Sequence, residues 1–191
     1  MISPVAVSHP DMRCDVAPGF LLLGGGFEVL DQMEGGGNMA TASYPDSTFS
    51  WRAESKDELI VTESRIRVFT ISISPNIRNA MGQVIGNVAT TSNRSEFQGN
   101  SPNPKSVVGP LPGFALCGGG GYAIYDVNQL VWDLEPTSLA KNMPHGGPDP
   151  LIITDPNLQT FTAASDAHLN NLNHLVAPEM NSVASFAMGI K

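Results

Sequence analysis

The chain has 191 residues, enough for one medium domain or two small ones, with 19 glycines, 15 prolines and a formal net charge of −8. Glycine and proline at that density disfavour long helices, and an acidic surface neither attracts a nucleic-acid backbone nor gains from anionic lipid headgroups. No apolar run is long enough to span a bilayer, so no membrane insertion is expected.

The first ten residues lack the basic and apolar regions of a secretory signal. Pro4-Val5-Ala6-Val7-Ser8 and Met12 to Val16 read as short extended segments. Pro18-Gly19-Phe20-Leu21-Leu22-Leu23-Gly24-Gly25-Gly26 follows, a brief apolar run bounded by turn residues and therefore a strand. Phe27 to Leu30 resumes the apolar pattern, and Asp31 to Asn38 is a polar loop. Met39 to Tyr44 predicts a strand ending at Pro45. Phe49 to Glu54 alternates, with Phe49, Trp51 and Ala53 on one face. Arg65 to Ser74 is the clearest strand pattern, with Ile66, Val68, Thr70 and Ser72 on one face and Arg67, Phe69, Ile71 and Ile73 on the other. Val84 to Thr91 predicts another strand, and Asn93 to Lys105, rich in Ser, Asn, Pro and Gly, predicts an exposed loop.

The chain then repeats itself. Pro112-Gly113-Phe114-Ala115-Leu116-Cys117-Gly118-Gly119-Gly120 copies the Pro18 stretch 94 positions later, with seven of nine residues identical. Pro136 stands for Pro45 at an offset of 91, Phe161 for Trp51 at 110, and Phe186 for Phe69 at 117. The steps between offsets place insertions in the second copy between Thr137 and Gln159 and between Ala167 and Asn181. Insertions collect in loops, so the strands form the shared scaffold. Asp166 to Leu175 alone suggests helix, a turn or two with Asp166 as N-cap. The expected fold is all-β, a sandwich or barrel built from two pseudo-repeats, 1–83 and 84–191, packed as one unit.

The glycine runs are not phosphate loops. Cys117-Gly118-Gly119-Gly120-Gly121-Tyr122 lacks both the helix start of a dinucleotide site and the Gly-Lys-Ser/Thr of a phosphate loop. Their retention in both copies predicts a bulge, a bend or a close backbone approach. Cys117 replaces Leu23, so a buried thiol is expected rather than a nucleophile, and Cys14 and Cys117 are expected to be unpaired. His145, His168 and His174 with Asp149 or Asp155 carry the residue types of a metal site. Their loops, however, leave opposite ends of one strand, about 17–20 Å apart. No metal and no cofactor are expected.

Trp51 and Phe161, being repeat equivalents, belong to the core. Trp132, at the position of Thr41 and beside Asp133 and Glu135, is the better contact residue. An exposed aromatic next to polar groups stacks on the apolar face of a sugar while its neighbours take the hydroxyls. The candidate ligand-binding set is Trp132, Asp133, Tyr44 and, in the enlarged second-half loops, His145, Asp149 and Asp155.

Cys14, Pro18-Gly19, Leu21-Leu22-Leu23-Gly24-Gly25-Gly26-Phe27, Ser43-Tyr44-Pro45, Trp51 and Arg67 to Ile73 resemble a β-repeat module of bacterial extracellular proteins. The resemblance covers about 60 residues of the first half and implies a secreted or surface role without an assigned chemistry. Cys14 lies one residue further from Pro-Gly than in that pattern, and Ser72-Ile73-Ser74 stands where it closes on Cys, so no disulfide is carried over. The sequence therefore points to a non-catalytic, lectin-like or receptor-binding protein recognising a glycan or cell-surface partner. The other reading is a structural or assembly subunit forming homo-oligomers. An extracellular or surface location is expected, with the cytoplasm as the alternative.

Overall fold

The computed structural model describes residues 1–30, 37–58, 61–99, 104–124, 129–138, 158–167 and 181–191. The described residues form strands and no helix. In chain order the strands are β1 (Asp11–Asp15), β2 (Leu21–Leu30), β3 (Gly37–Pro45), β4 (Ser50–Glu58), β5 (Arg65–Ile73), β6 (Asn76–Arg78) and β7 (Val84–Asn87). They continue with β8 (Thr90–Gly99), β9 (Lys105–Val108), β10 (Ala115–Ile124), β11 (Gln129–Ser138), β12 (Leu158–Ala167) and β13 (Asn181–Ile190). The all-β class expected from the sequence is the one observed. A six-stranded sheet runs β1-β4-β3-β10-β13-β8, a three-stranded sheet runs β11-β12-β9, and β2-β5 and β6-β7 form two-stranded ribbons.

The duplication is visible residue by residue in the strand registers. Between β2 and β5, Leu22 faces Ser72 and Gly24 faces Ile71, leaving Leu23 as a bulge. Between β10 and β13, Leu116 faces Gly189 and Gly118 faces Met188, leaving Cys117 as the matching bulge. Thr41 is bulged out between β3 and β4, and Trp132 occupies the same position between β11 and β12. Pro45 pairs with Trp51 as Pro136 pairs with Phe161. Cys14 pairs with Trp51 as Val108 pairs with Phe161. The offsets of 94, 91, 110 and 117 are thus the offsets of the folded repeat.

Each part of the duplicated stretch has a physical task. Ala17-Pro18-Gly19-Phe20 closes a turn through Phe20 N–H to the Ala17 carbonyl (3.0 Å), and Leu111-Pro112-Gly113-Phe114 does so through Phe114 N–H to Leu111 (3.1 Å). Gly19 and Gly113 sit at φ 84° and 83°, which is the second corner of a type II turn with proline at the first. The middle glycine of each run lies under an aromatic ring. A Cβ on Gly25 would overlap Trp51, and one on Gly119 would overlap Phe161. The glycines therefore bulge the strand and admit a close neighbour, with no ligand required.

Two layers meet over this contact. Leu22, Ile66 and Val68 from the β2-β5 ribbon pack on Trp51 and Ala53 of β4. The Trp51 indole N–H donates to Ser43 Oγ at 3.0 Å, which satisfies its one polar atom in the core. In the second copy Val108, Phe161 and Ala187 form the smaller equivalent, and Ser106 and Ser185 share a buried hydrogen bond at 2.9 Å. The copies are joined where β10 adds to the edge of β3, with Gly121 opposite Ser43 and Tyr122 opposite Ala42. Met188 of β13 is fully buried within the first-half core.

Several local expectations need correction. Val84 to Thr91 is not one strand: it breaks between β7 and β8. Asn93 to Gly99 is strand rather than loop, because β8 is an edge strand of the large sheet and its polar composition suits an edge. Phe49 lies outside β4 and is 58% exposed, while Trp51 and Ala53 are buried as expected. Asp166 and Ala167 belong to β12, and the rest of the segment read as a helical turn, 168–175, lies outside the described residues. Cys117 is exposed rather than buried, because the bulge turns it out of the apolar alternation; both cysteines are free.

Candidate functional site

One face of the six-stranded sheet carries a row of residues directly opposite one another. Arg13 of β1 faces Arg52 of β4, and Arg52 faces Tyr44 of β3. Gly120 of β10 faces Phe186 of β13, and Phe186 faces Arg94 of β8. Gly120 is the seam: a Cβ there would lie 2.7 Å from the Tyr44 Cα, so only glycine lets β10 settle against β3. With no side chain in that position, Tyr44 lies across the gap. Its ring stacks on Phe186 at 4.9 Å (22°) and on Tyr122 at 5.4 Å (24°). Near-parallel rings at these separations are the offset-stacked arrangement that aromatic quadrupoles favour.

Ionic pairs flank this column. The Arg94 guanidinium carbon stands 5.7 Å from the Phe186 ring centre, within cation–π range, and Arg94 pairs with Glu96 at 2.6 Å. On the other side Arg52 donates to both Asp11 carboxylate oxygens (2.9 and 2.6 Å) and lies 3.0 Å from Glu54. Phe186 is buried at 8% exposure, while Tyr44 and Tyr122 are half-buried and reach the surface. Burial raises the Tyr44 hydroxyl above its usual value, with the Arg52 charge opposing and Glu54 and Asp46 adding to the rise. Tyr44 is therefore a neutral phenol at ordinary pH, able to donate and accept. Burial also raises the Glu54 carboxyl, again against Arg52. The hydrogen bond to Asp11 holds the Arg52 proton more firmly still.

Of the residues singled out from the sequence, Tyr44 stands at the centre of this face. Trp132 and Asp133 lie on β11, Trp132 at the bulge and Asp133 opposite Ala164. That strand belongs to the three-stranded sheet, so they do not share Tyr44's sheet. His145, Asp149 and Asp155 lie outside the described residues, as do His168 and His174. Among the described residues, no three His, Cys, Asp or Glu side chains are grouped to hold a metal ion. Tyr122, Phe186, Arg94 and Arg52 were not singled out from the sequence. A signal did exist for two of them. Tyr122 directly follows the glycine run that ends at Gly121, and Phe186 is the repeat partner of Phe69; both share the sheet face of Gly120.

No family model, curated protein or solved structure matches the chain.

Proposed function

We propose that this chain is a non-catalytic recognition protein whose Tyr44–Tyr122–Phe186 face takes up a neutral glycan on a cell surface or matrix. The observation that carries this reading is the stacked column itself, set between two guanidinium–carboxylate pairs. Half-buried tyrosines that reach the surface offer a flat apolar edge that a sugar's C–H face can cover, at little entropic cost. Arg52 and Arg94 are already paired with Asp11, Glu54 and Glu96, which favours a neutral ligand over a phosphate or sulfate. Paired carboxylates and guanidinia suit sugar hydroxyls, which need acceptors and donors side by side.

A glycan array probed with the full chain tests the reading. Wild type is expected to give a selective signal that Tyr44→Ala and Tyr122→Ala each reduce at least tenfold. A variant shortened between 139 and 157 separates two locations. Retained binding assigns the site to the sheet face, and lost binding assigns it to the second-half segment. An array with no signal above background for wild type rejects the glycan altogether. A structural or assembly role is the second reading, and one observation favours it: Phe69 and Ile71 of β5 are 46% and 55% exposed.

A further inference from the structure

Charge is unevenly placed along the chain. All 18 aspartates and glutamates lie outside the stretch from Ser64 to Ser95, which carries four arginines. In the middle of that stretch β6 and β7 form a ribbon that pairs only with itself. Val88 N–H closes its base by donating to the Pro75 carbonyl (2.8 Å). No residue of the ribbon belongs to a buried core cluster among the described residues. Its apolar side chains face water instead. Met81 at the tip is 79% exposed and Ile85 is 65% exposed, with Ile77 and Val84 about half-exposed.

The turn that carries Met81 needs little from water, because Asn79 organises it. The Asn79 side-chain oxygen accepts from the Met81 and Gln83 N–H groups (3.0 Å each). Its carbonyl accepts from Gly82 N–H (2.9 Å), and its own N–H donates to the Gln83 carbonyl (3.0 Å). Gly82, at φ 81°, supplies the left-handed corner. The Asn79 amide donates to the Gln83 side-chain oxygen (2.9 Å), and Arg78 donates to the Gly82 carbonyl (2.7 Å). A backbone bonded in this way leaves water at little cost. Arg13, Arg52, Arg67 and Arg94 each pair with a carboxylate. Arg78 meets the Gly82 carbonyl instead, and no carboxylate among the described residues pairs with it.

We propose that the β6–β7 hairpin is an interfacial anchor that dips its tip into a zwitterionic lipid bilayer. The placing of its apolar groups selects a bilayer over a protein surface. Ile77 stands opposite Gly86, Arg78 stands opposite Val84, and Ile85 is bulged out between the two pairs. Ile77 and Val84 therefore lie on opposite faces of the ribbon, with Met81 at its end. A protein groove or sheet covers one face of a ribbon, whereas lipid surrounds every side of what enters it. Such an anchor needs no spanning segment, because it rests among headgroups and upper acyl chains. Arg78 reaches back along its apolar stem to a lipid phosphate. The carboxylates stay on the body of the chain, outside the stretch that meets the lipid. A bilayer without net charge does not repel that acidic body as an anionic one would.

Flotation of the full chain with phosphatidylcholine vesicles tests this. Wild type is expected to float with the vesicles, and Met81→Asp and Ile85→Asp are each expected to lower the partition coefficient at least tenfold. Phe49→Asp, at an exposed site outside the hairpin, leaves it unchanged. A second arm places a probe at the tip. In Met81→Trp, brominated phosphatidylcholine quenches the added indole beyond the wild-type signal, and in Phe49→Trp it does not. That arm stands even if the aspartate variants fold poorly. A wild-type chain that stays out of the vesicle fraction overturns the proposal. So does flotation that survives both aspartate substitutions or leaves Met81→Trp unquenched. A chain that ignores vesicles but self-associates, and loses that with Met81→Asp, also overturns it, because the hairpin then seats on a second copy. Tyr44→Ala lies on another sheet and leaves flotation unchanged, so failure of glycan binding and failure of lipid binding are read separately.

Discussion

The Cys117 sulfur lies 3.6 Å from the carbonyl oxygen of Leu23, its own counterpart in the first half. The two bulges of the repeat therefore touch, and Gly118 carries no side chain because a Cβ there would come 2.6 Å from the same oxygen. Cys117 is exposed as a residue, yet loss of water around its sulfur pushes the thiol up to about 11. At pH 8 only about one thiol in a thousand is then ionised, and the thiolate is the reacting form. Iodoacetamide labelling of Cys117, followed by peptide mass mapping, is expected to run well over tenfold slower than labelling of an unstructured cysteine peptide. The rate should keep climbing to about pH 11. Labelling at the peptide's rate at pH 8 would show the sulfur to be solvated.

The glycine runs make a second prediction with an internal control. A methyl on Gly25 meets Trp51 and comes within 2.6 Å of the Phe69 carbonyl oxygen, and a methyl on Gly119 meets Phe161 and Phe186 in the same way. Gly25→Ala and Gly119→Ala should each cost about 1–3 kcal/mol through overpacking. Around Gly24 nothing lies within 4 Å of the added methyl, so Gly24→Ala should be within about 0.5 kcal/mol of wild type. Urea denaturation of the three variants decides it. Equal losses at all three positions would mean that backbone freedom, and not the aromatic contact, explains the glycines.

This division of labour among glycines was legible in the sequence only as far as the duplication itself. Offsets between copies located the strands and equated Trp51 with Phe161, because both follow from an alternation that a single chain displays. Strand adjacency does not. The column of Tyr44, Tyr122 and Phe186 exists because β10 of one copy joins β3 of the other, and periodicity carries no trace of which edges meet. Edge position likewise hid β8: Asn93, Arg94, Ser95 and Glu96 have the composition of a loop, yet they pair with Ala187, Phe186, Ser185 and Ala184 of β13. Polar residues at a sheet edge guard against unwanted pairing, so an edge strand and a loop look alike until their neighbour is known.

Glu54 supplies a pH-dependent test. Burial, opposed by Arg52 and reinforced by Asp11 and Asp46, raises its carboxyl above the ordinary value of 4.5. The folded chain thus holds this proton more tightly than the unfolded chain does. Its favourable contribution is complete below the ordinary value and is lost as pH rises through the raised one. Glu54→Gln mimics the protonated form. The melting temperatures of wild type and variant should coincide near pH 3.5 and separate between about pH 4 and 7, with the variant the more stable. If the wild type were the more stable at pH 7, the Arg52 pair would outweigh burial, and the sign would be wrong.

Met188 joins the two halves energetically. It is fully buried among Leu22, Trp51 and Val68 although it lies on β13, whereas its counterpart Ile71 is 55% exposed. Met188→Ala should therefore leave a cavity in the first-half core and cost about 2–5 kcal/mol. Ile71→Ala should cost well under about 1 kcal/mol. The location of the damage matters more than its size. Because Trp51 lines the cavity, its fluorescence should shift to the red in native Met188→Ala, and hydrogen exchange should rise in β2 and β5 as well as in β13. Faster exchange confined to β10 and β13 would show that each half keeps its own core and that the junction between them carries little of the stability.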